Sequence, residues 1–346
     1  MISKIKWDNS SHAGWLAQRK EMEGFGSIET VRIGASDVSV ITGTNKWKCK
    51  RRLFYHLIGL HSTEWRTAKS IGGHMLEGVI ASNWESWTPD EEQFLLNLEQ
   101  GKKERVTKKA DFFLLNSKHP NLFVSIDRLH DGEVYSPFTG LQYGELTPIE
   151  LKSTESHYYK EWPNGITAGY NDQVQTQMMI SDSEVAVFCV LVNGFYFHVR
   201  EVEYDALIAE KIDHDVREFS TLCVAGKQIM ELMSEAKSKD EKEEYMAMLQ
   251  DIEPEALELE DEQALNKEMN PVSDGEIIGN EKDFIYLEQY QQASDKIKAL
   301  EADKQLAKNK ITTLMKDVEV IKYKAGRVTW RREEGKRDYF SIKVDK

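Results

Sequence analysis

The chain has 346 residues, 40% of them hydrophobic and 10% aromatic, which is ample material for a core larger than one minimal domain. No run of about 18 apolar residues occurs, which excludes a membrane-spanning helix, and Cys49, Cys189 and Cys223 are scattered, without the spacing of an iron–sulfur or zinc site. The formal net charge of −14 argues against nucleic acid only as a total: residues 1–110 sum to roughly +4 and residues 321–346 to roughly +5, so basic surface can form at both ends.

The opening residues carry no apolar leader, so the expected location is the cytoplasm. Residues 13–20, AGWLAQRK, read as a short helix. A second helix is expected to open on Ser36 or Asp37 as N-cap and to stop near Gly43. KRRLFYHLIGL reads as a third. SIGGHMLEGVIASNWESW is amphipathic, with Met75, Val79, Ile80 and Trp84 near helical spacing. Strand-like segments follow: DFFLLN, LFVSIDRLHDG and TPIELKST. A polar helix, AGYNDQVQTQMMISD, precedes two strands joined by Asn193-Gly194, a hairpin signal. Residues 205–236 are helical.

From about residue 235 the chain is charge-rich and poor in aromatics, which predicts a solvated acidic helix and linker. Tyr286, Tyr290, Ala293, Ile297, Leu300, Lys304, Ala307, Ile311 and Leu314 then alternate in spacings of 3 and 4, the seam of a long helix in a coiled coil or helix hairpin. The chain closes with a basic β-hairpin expected to turn at Glu333–Gly335. The domain organisation this implies is 1–226, 227–282 and 283–346. The fold class is α/β: a central mixed sheet flanked by helices, with a C-terminal helical appendage ending in a β-hairpin.

Glu150-Leu151-Lys152 carries the sharpest chemical signal. Residues i and i+2 of a strand share a face, so the two charges emerge together from an otherwise apolar segment. They are either an ion pair or a reactive unit. Asp127, an isolated carboxylate after Phe123, Val124 and Ile126, belongs on the neighbouring strand. Two such carboxylates suit a hard divalent cation, with the Leu151 carbonyl as a further ligand and Lys152 beside the attacking water. Asp131 is a rival carboxylate, although HDGE reads as a hairpin tip.

The pattern Asp127…Glu150-Leu151-Lys152 resembles the D…(D/E)xK core of the PD-(D/E)xK nucleases. WLAQR, IGASDVSVITG, GGHMLEGVIA and YNDQVQTQMMISD occur in an order that resembles the YqaJ and lambda-exonuclease type. No proline precedes Asp127, and residues 133–145 lengthen the Asp–Glu interval beyond the compact family pattern. The resemblance implies that Asp127, Glu150, the Leu151 carbonyl and Glu77 bind one or two Mg²⁺ or Mn²⁺ ions, that Lys152 handles the nucleophilic water, and that Gln173 sits beside them. It also implies that Arg19 and Ser36 hold a terminal 5′-phosphate. A phosphate there has independent sense, because Ser36 lies at an expected helix N-terminus.

The activity implied is a metal-dependent DNA exonuclease that degrades duplex ends 5′ to 3′ and leaves 3′ overhangs for recombination by strand annealing. The implied setting is the cytoplasm of a bacterial host, in a toroidal homotrimer encoded by a phage or prophage, with a single-strand annealing protein as partner. Competing readings are a structure-specific or defence endonuclease on the same core, and a non-catalytic DNA-binding protein. Residue by residue, the plainer readings are a surface ion pair for Glu150 and Lys152, an N-cap for Ser36, and ordinary polar helix positions for Glu77, Arg19, Gln173 and Gln175.

Overall fold

A computed structural model describes residues 1–7, 12–61, 68–160, 162, 165–256, 260–269, 284–316, 318–331 and 339–344. The chain divides into two units, Met1–Pro271 and Val272–Lys346. The first unit opens with β1 (Ile2–Lys6), α1 (His12–Glu23), β2 (Ile33–Gly34), α2 (Ala35–Thr42), α3 (Lys50–Leu57), α4 (Ala68–Ser86) and α5 (Glu91–Gln100). Strands β3 (Thr107–Lys109), β4 (Phe112–Asn116), β5 (Leu122–Ser125), β6 (Arg128–His130) and β7 (Ile149–Thr154) follow, then α6 (Ser156–Tyr159) and α7 (Ala168–Ser181). A hairpin of β8 (Val185–Val192) and β9 (Tyr196–Glu203) leads into α8 (Ala206–Glu235), α9 (Lys239–Ile252) and α10 (Glu260–Met269).

The expected mixed sheet is present as two. One has the order β1-β4-β5-β2 and the other β3-β6-β7-β8-β9. The chain passes from the first to the second between β5 and β6, across Ile126 and Asp127. In the second sheet β7 and β8 run parallel in the register Glu150↔Phe188 and Lys152↔Val190. Strand β8 reads VAVFCVLV without a polar break because both its faces are covered. Val187, Cys189 and Leu191 pack toward Ile80 and Trp84 of α4. Ala186, Phe188 and Val190 pack toward Val174 and Met178 of α7. Asn193 and Gly194 both adopt positive φ, 53° and 78°, as the tight two-residue hairpin requires.

Among the elements that were not anticipated, three are instructive. β1 and β3 are short, polar edge strands, ISKIK and TKK, with no apolar alternation to betray them. Helix α5 had legible ends: Asp90 accepts from the Gln93 N–H, and Gly101 closes the helix in the left-handed region. In α4 the apolar pattern misleads in part. Met75 and Val79 are exposed, and the face that packs is Ile80, Ala81 and Trp84.

The acidic stretch after residue 235 is not the solvated element its composition suggests. Leu249 of α9 and Leu265 of α10 are buried in the main core. Helix α10 lies on α3, where Arg51 reaches Glu253 at 2.8 Å and also pairs with Glu262. Arg52 meets Asp261 and Glu268, each at 2.7 Å. Asp261 Oδ2 in addition accepts the Cys49 N–H at the start of α3, at 2.8 Å.

In the second unit the heptad segment is a continuous helix, α11 (Phe284–Met315). The terminal hairpin is part of a three-stranded antiparallel sheet, β10 (Val320–Tyr323), β11 (Gly326–Arg331) and β12 (Tyr339–Val344). The turn expected at Glu333–Gly335 lies outside the described residues.

Candidate active site

The period of β7 sorts its side chains. Ile149 and Leu151 enter the apolar cluster beneath α4, so Glu150 and Lys152 face the other way, under α7. Glu150 is 1% exposed, a burial that an ionised carboxylate tolerates only with full hydrogen bonding. Gln173 Nε2 donates to its Oε1 at 2.7 Å, and Gln177 Nε2 donates to its Oε2 at 2.6 Å. Lys152 Nζ also bonds Oε1 and lies 5.2 Å from the centre of the Tyr170 ring.

Asp127 arrives from the crossing between the sheets. Pairing of Arg128 with Ile149 sets β6 beside β7, and Asp127 Oδ2 accepts the Leu151 N–H at 2.9 Å. The two acids and the ammonium group expected from sequence are therefore brought together. Burial, and then the neighbouring Glu150, push the Asp127 carboxyl well above the usual carboxylate range. Burial works against the Lys152 ammonium, but Glu150 and Asp127 outweigh it and raise its pKa, so the group stays charged.

Glu77 is half-buried on α4 and adds negative charge to the surroundings of Asp127. Its Oε1 is 2.6 Å from His74 Nδ1, a hydrogen bond that holds the imidazole above its ordinary pKa. Among the described residues no three acidic, imidazole or thiol groups close into a metal centre. Asp131 is exposed and paired with Lys108 at 3.2 Å just after β6, and the chain reversal expected at HDGE falls later, between Tyr135 and Gln142.

A second polar cluster gathers around Arg19. Its Nη2 lies 3.3 Å from Ser36 Oγ and 2.5 Å from Asp37 Oδ2, and its Nε donates to Glu23 Oε1 at 2.8 Å. Ser36 is not the N-cap. That position is Gly34, which is extended and has no side-chain cap, and Ser36 falls in the first turn of α2. A Cβ on Gly34 would lie 3.0 Å from Arg19 Nη2 and 3.1 Å from the Phe123 ring, so glycine leaves room for the guanidinium across the helix start. Asp37 also holds Lys48 Nζ at 3.1 Å. Burial would raise the Asp37 carboxyl, but Lys48 and Arg19 keep it below the usual range. Burial likewise opposes the Arg19 charge, and Asp37 and Glu23 restore it and raise its pKa.

The two clusters are mechanically joined. Thr42 and Thr44, at the end of α2, both donate to Asp172 Oδ2, at 2.6 and 2.7 Å, and Asp172 precedes Gln173 on α7.

Sequence reasoning missed Gln177, Lys48, Glu23 and Asp37 as members of these clusters. Gln177 had one signal, its spacing of one helical turn from Gln173. Its Nε2 also reaches Ser125 O at 3.2 Å, so one amide ties the strand leading to Asp127 to the carboxylate of Glu150. Gln175, by contrast, bonds only backbone, Glu203 O at 2.8 Å and Asp205 N–H at 2.9 Å.

The family profile for the YqaJ-like viral recombinase domain matches residues 14–184. The uncharacterized protein YqaJ of Bacillus subtilis (strain 168) is 28% identical over 218 residues, 62% of this chain; the match spans 57% of the length of that relative. Among solved structures, an alkaline exonuclease from Laribacter hongkongensis aligns at 18% identity over 58% of this chain and 91% of its own, with a TM-score of 0.40. A phage-related exonuclease from Haemophilus somnus 129PT aligns at 13% identity over 60% and 99%, with a TM-score of 0.37. Every side chain of the two clusters described above falls inside the matched segment, and residues 14–184 of this chain are a YqaJ-like viral recombinase domain.

Proposed function

We propose that the chain is a metal-dependent DNA exonuclease that acts on duplex ends. The observation that carries this reading is the meeting of Asp127, Glu150 and Lys152 under the two amides of α7. Burial, and then repulsion from Glu150, hold the Asp127 carboxyl above its ordinary range. A divalent cation held by both would relieve that repulsion, and an oxygen donor set suits Mg²⁺ or Mn²⁺. Asp127, Glu150 and the Leu151 carbonyl would hold it, with Glu77 toward a second ion or its waters. When bound, the cation supplies charge stabilisation for in-line attack of water on a phosphodiester.

The residues of the chain do the rest. Lys152, held charged, acts as an ammonium that orients the attacking water and offsets phosphate charge, rather than as a base. Gln173 and Gln177 hold Glu150 in one orientation. Arg19 and Ser36 receive the terminal 5′-phosphate, and Lys48 keeps Asp37 neutralised beside them. The polarity is 5′ to 3′ and the product a 3′ overhang for a single-strand annealing partner. The working form is a homo-oligomer, with 283–346 as a docking or assembly appendage.

The test uses linear duplexes bearing 5′-phosphate or 5′-hydroxyl, nicked circles and closed circles, each with Mg²⁺ or Mn²⁺. Degradation confined to molecules with an end, and faster from 5′-phosphate, is the expected result. Cutting of closed circles would make the protein an endonuclease; intact linear DNA would end the hydrolytic reading.

Two measurements address the site directly. Because the Asp127 pKa is raised, a proton competes with the cation, and raising the pH removes that competitor. Cation affinity is therefore expected to increase with pH, and calorimetry in buffers of different ionisation enthalpy should show proton release on binding. Equal heats in all buffers would contradict it. Replacing Gln177 by Met should weaken cation binding roughly 10–100-fold, the usual cost of removing a group that orients a metal ligand. Excess cation should restore turnover. Gln175→Met removes a comparable buried amide from the same helix and should lower Tm without changing cation affinity.

A further inference from the structure

Lys46-Trp47-Lys48, between α2 and α3, is a basic and aromatic run that none of the roles above uses beyond the Lys48–Asp37 pair. Trp47 is 70% exposed, and among the described tryptophans it alone is exposed. A lone exposed apolar ring is ordinary; what calls for explanation here is one that is held in place.

Looseness is not the explanation, because the loop is tied at several points. Asn45 Oδ1 accepts the N–H groups of Trp47 and Lys48 at 2.8 and 2.9 Å. Asn45 Nδ2 in turn donates to Ser39 Oγ at 3.1 Å, and Thr44 is fastened to Asp172 of α7. The indole meets the Tyr158 ring edge-on, with centroids 6.2 Å apart and planes at 90°.

The position of the ring is informative. On one side Lys48 joins Trp47 to the Arg19–Ser36 cluster through Asp37. On the other, Tyr158 belongs to α6, which directly follows the strand of Glu150 and Lys152. The ring thus bridges the segment that bears the phosphate cluster and the segment that bears the carboxylates. A flat apolar ring between two lysines in sequence, Lys46 exposed and Lys48 paired with Asp37, is the chemistry that grips nucleic acid: cations for the backbone, a π-face for a base.

We propose that Trp47 is a stacking platform for a nucleobase of the strand whose end the Arg19 cluster holds. The proposal rests on the reading of this chain as a DNA-end nuclease and adds a substrate contact to it. A tryptophan that instead docks another protein is the alternative occupant, and the test below separates the two.

The experiment measures binding of fluorescein-labelled 5′-phosphorylated oligonucleotides to the full chain by anisotropy, in EDTA so that nothing is cleaved. Trp47→Ala should weaken binding roughly 5- to 100-fold, whereas Trp47→Phe, which keeps a ring face, should retain most of the affinity. Oligonucleotides with abasic sites in the terminal nucleotides should lose the same factor with the wild type and none with Trp47→Ala. Unchanged affinity in Trp47→Ala, or an equal loss on intact and abasic strands, overturns the proposal, as does failure of the wild type to bind DNA. Cleavage of linear duplex is followed in parallel with added cation. If the wild type degrades ends while Trp47→Ala binds normally, the platform alone is wrong; if DNA is bound through Trp47 but never cleaved, the nuclease reading alone is wrong.

Discussion

Lys152→Met is expected to reduce cleavage of linear duplex by roughly 10²–10⁴-fold, the range seen when a positioned proton-handling or charge-stabilising side chain is lost. The ammonium sits against Glu150 and beneath Tyr170, so both its hydrogen bond and its charge are directed at one place. Methionine fills similar volume and leaves Gln173 and Gln177 on the carboxylate. The variant should therefore fold and bind cation while failing at chemistry. Single-turnover rates at saturating Mg²⁺, with cation affinity measured separately, check this. Wild-type rates in Lys152→Met would remove the central residue of the mechanism. Loss of cation binding with normal turnover at high Mg²⁺ would instead make Lys152 a prop for Glu150.

The second large effect concerns stability. Arg52→Met is expected to destabilise the first unit by about 3–5 kcal/mol, the cost of stripping one partner from a buried ionic network. The Arg52 side chain is 7% exposed and faces Asp261, also 7% exposed, and Glu268. Removing the guanidinium strands the Asp261 carboxylate, which cannot reach water without undocking α10, while Glu268 is already half in solvent. Asp261→Asn combined with Arg52→Met should recover part of the loss, because an amide needs no counter-charge and still accepts the Cys49 N–H. Urea denaturation monitored by circular dichroism measures both. A change below about 1 kcal/mol would show the network to behave like a solvent-screened surface pair.

These two sites divide what local pattern can say from what it cannot. Period-2 alternation in IELKST placed Glu150 and Lys152 on one face, and the structure has them there. The unbroken apolar run of β8 announced a strand covered on both sides, and Asn193-Gly194 announced its turn. Asp127 was legible as an acid at the end of an apolar strand. Such features depend on residues within a turn or two of one another.

Tertiary structure decided the rest. Gln177 looks like any polar residue of a helix and is wholly buried only because α7 lies on the charged face of β7. Glu253, Asp261 and Glu262 read as a solvated run, yet they dock because Arg51 and Arg52, some two hundred positions earlier, present guanidinium groups to them. The helix caps at Gly34, two residues before Ser36, and that position is glycine because Arg19 and Phe123 occupy the space a side chain would need. The sequence by itself determined most of the longer strands and helices and which acids accompany the lysine, since hydrophobic period and turn chemistry are short-range. Which polar groups are buried was settled only in three dimensions, because the free energy of burying a charge depends on a partner that chain proximity does not supply.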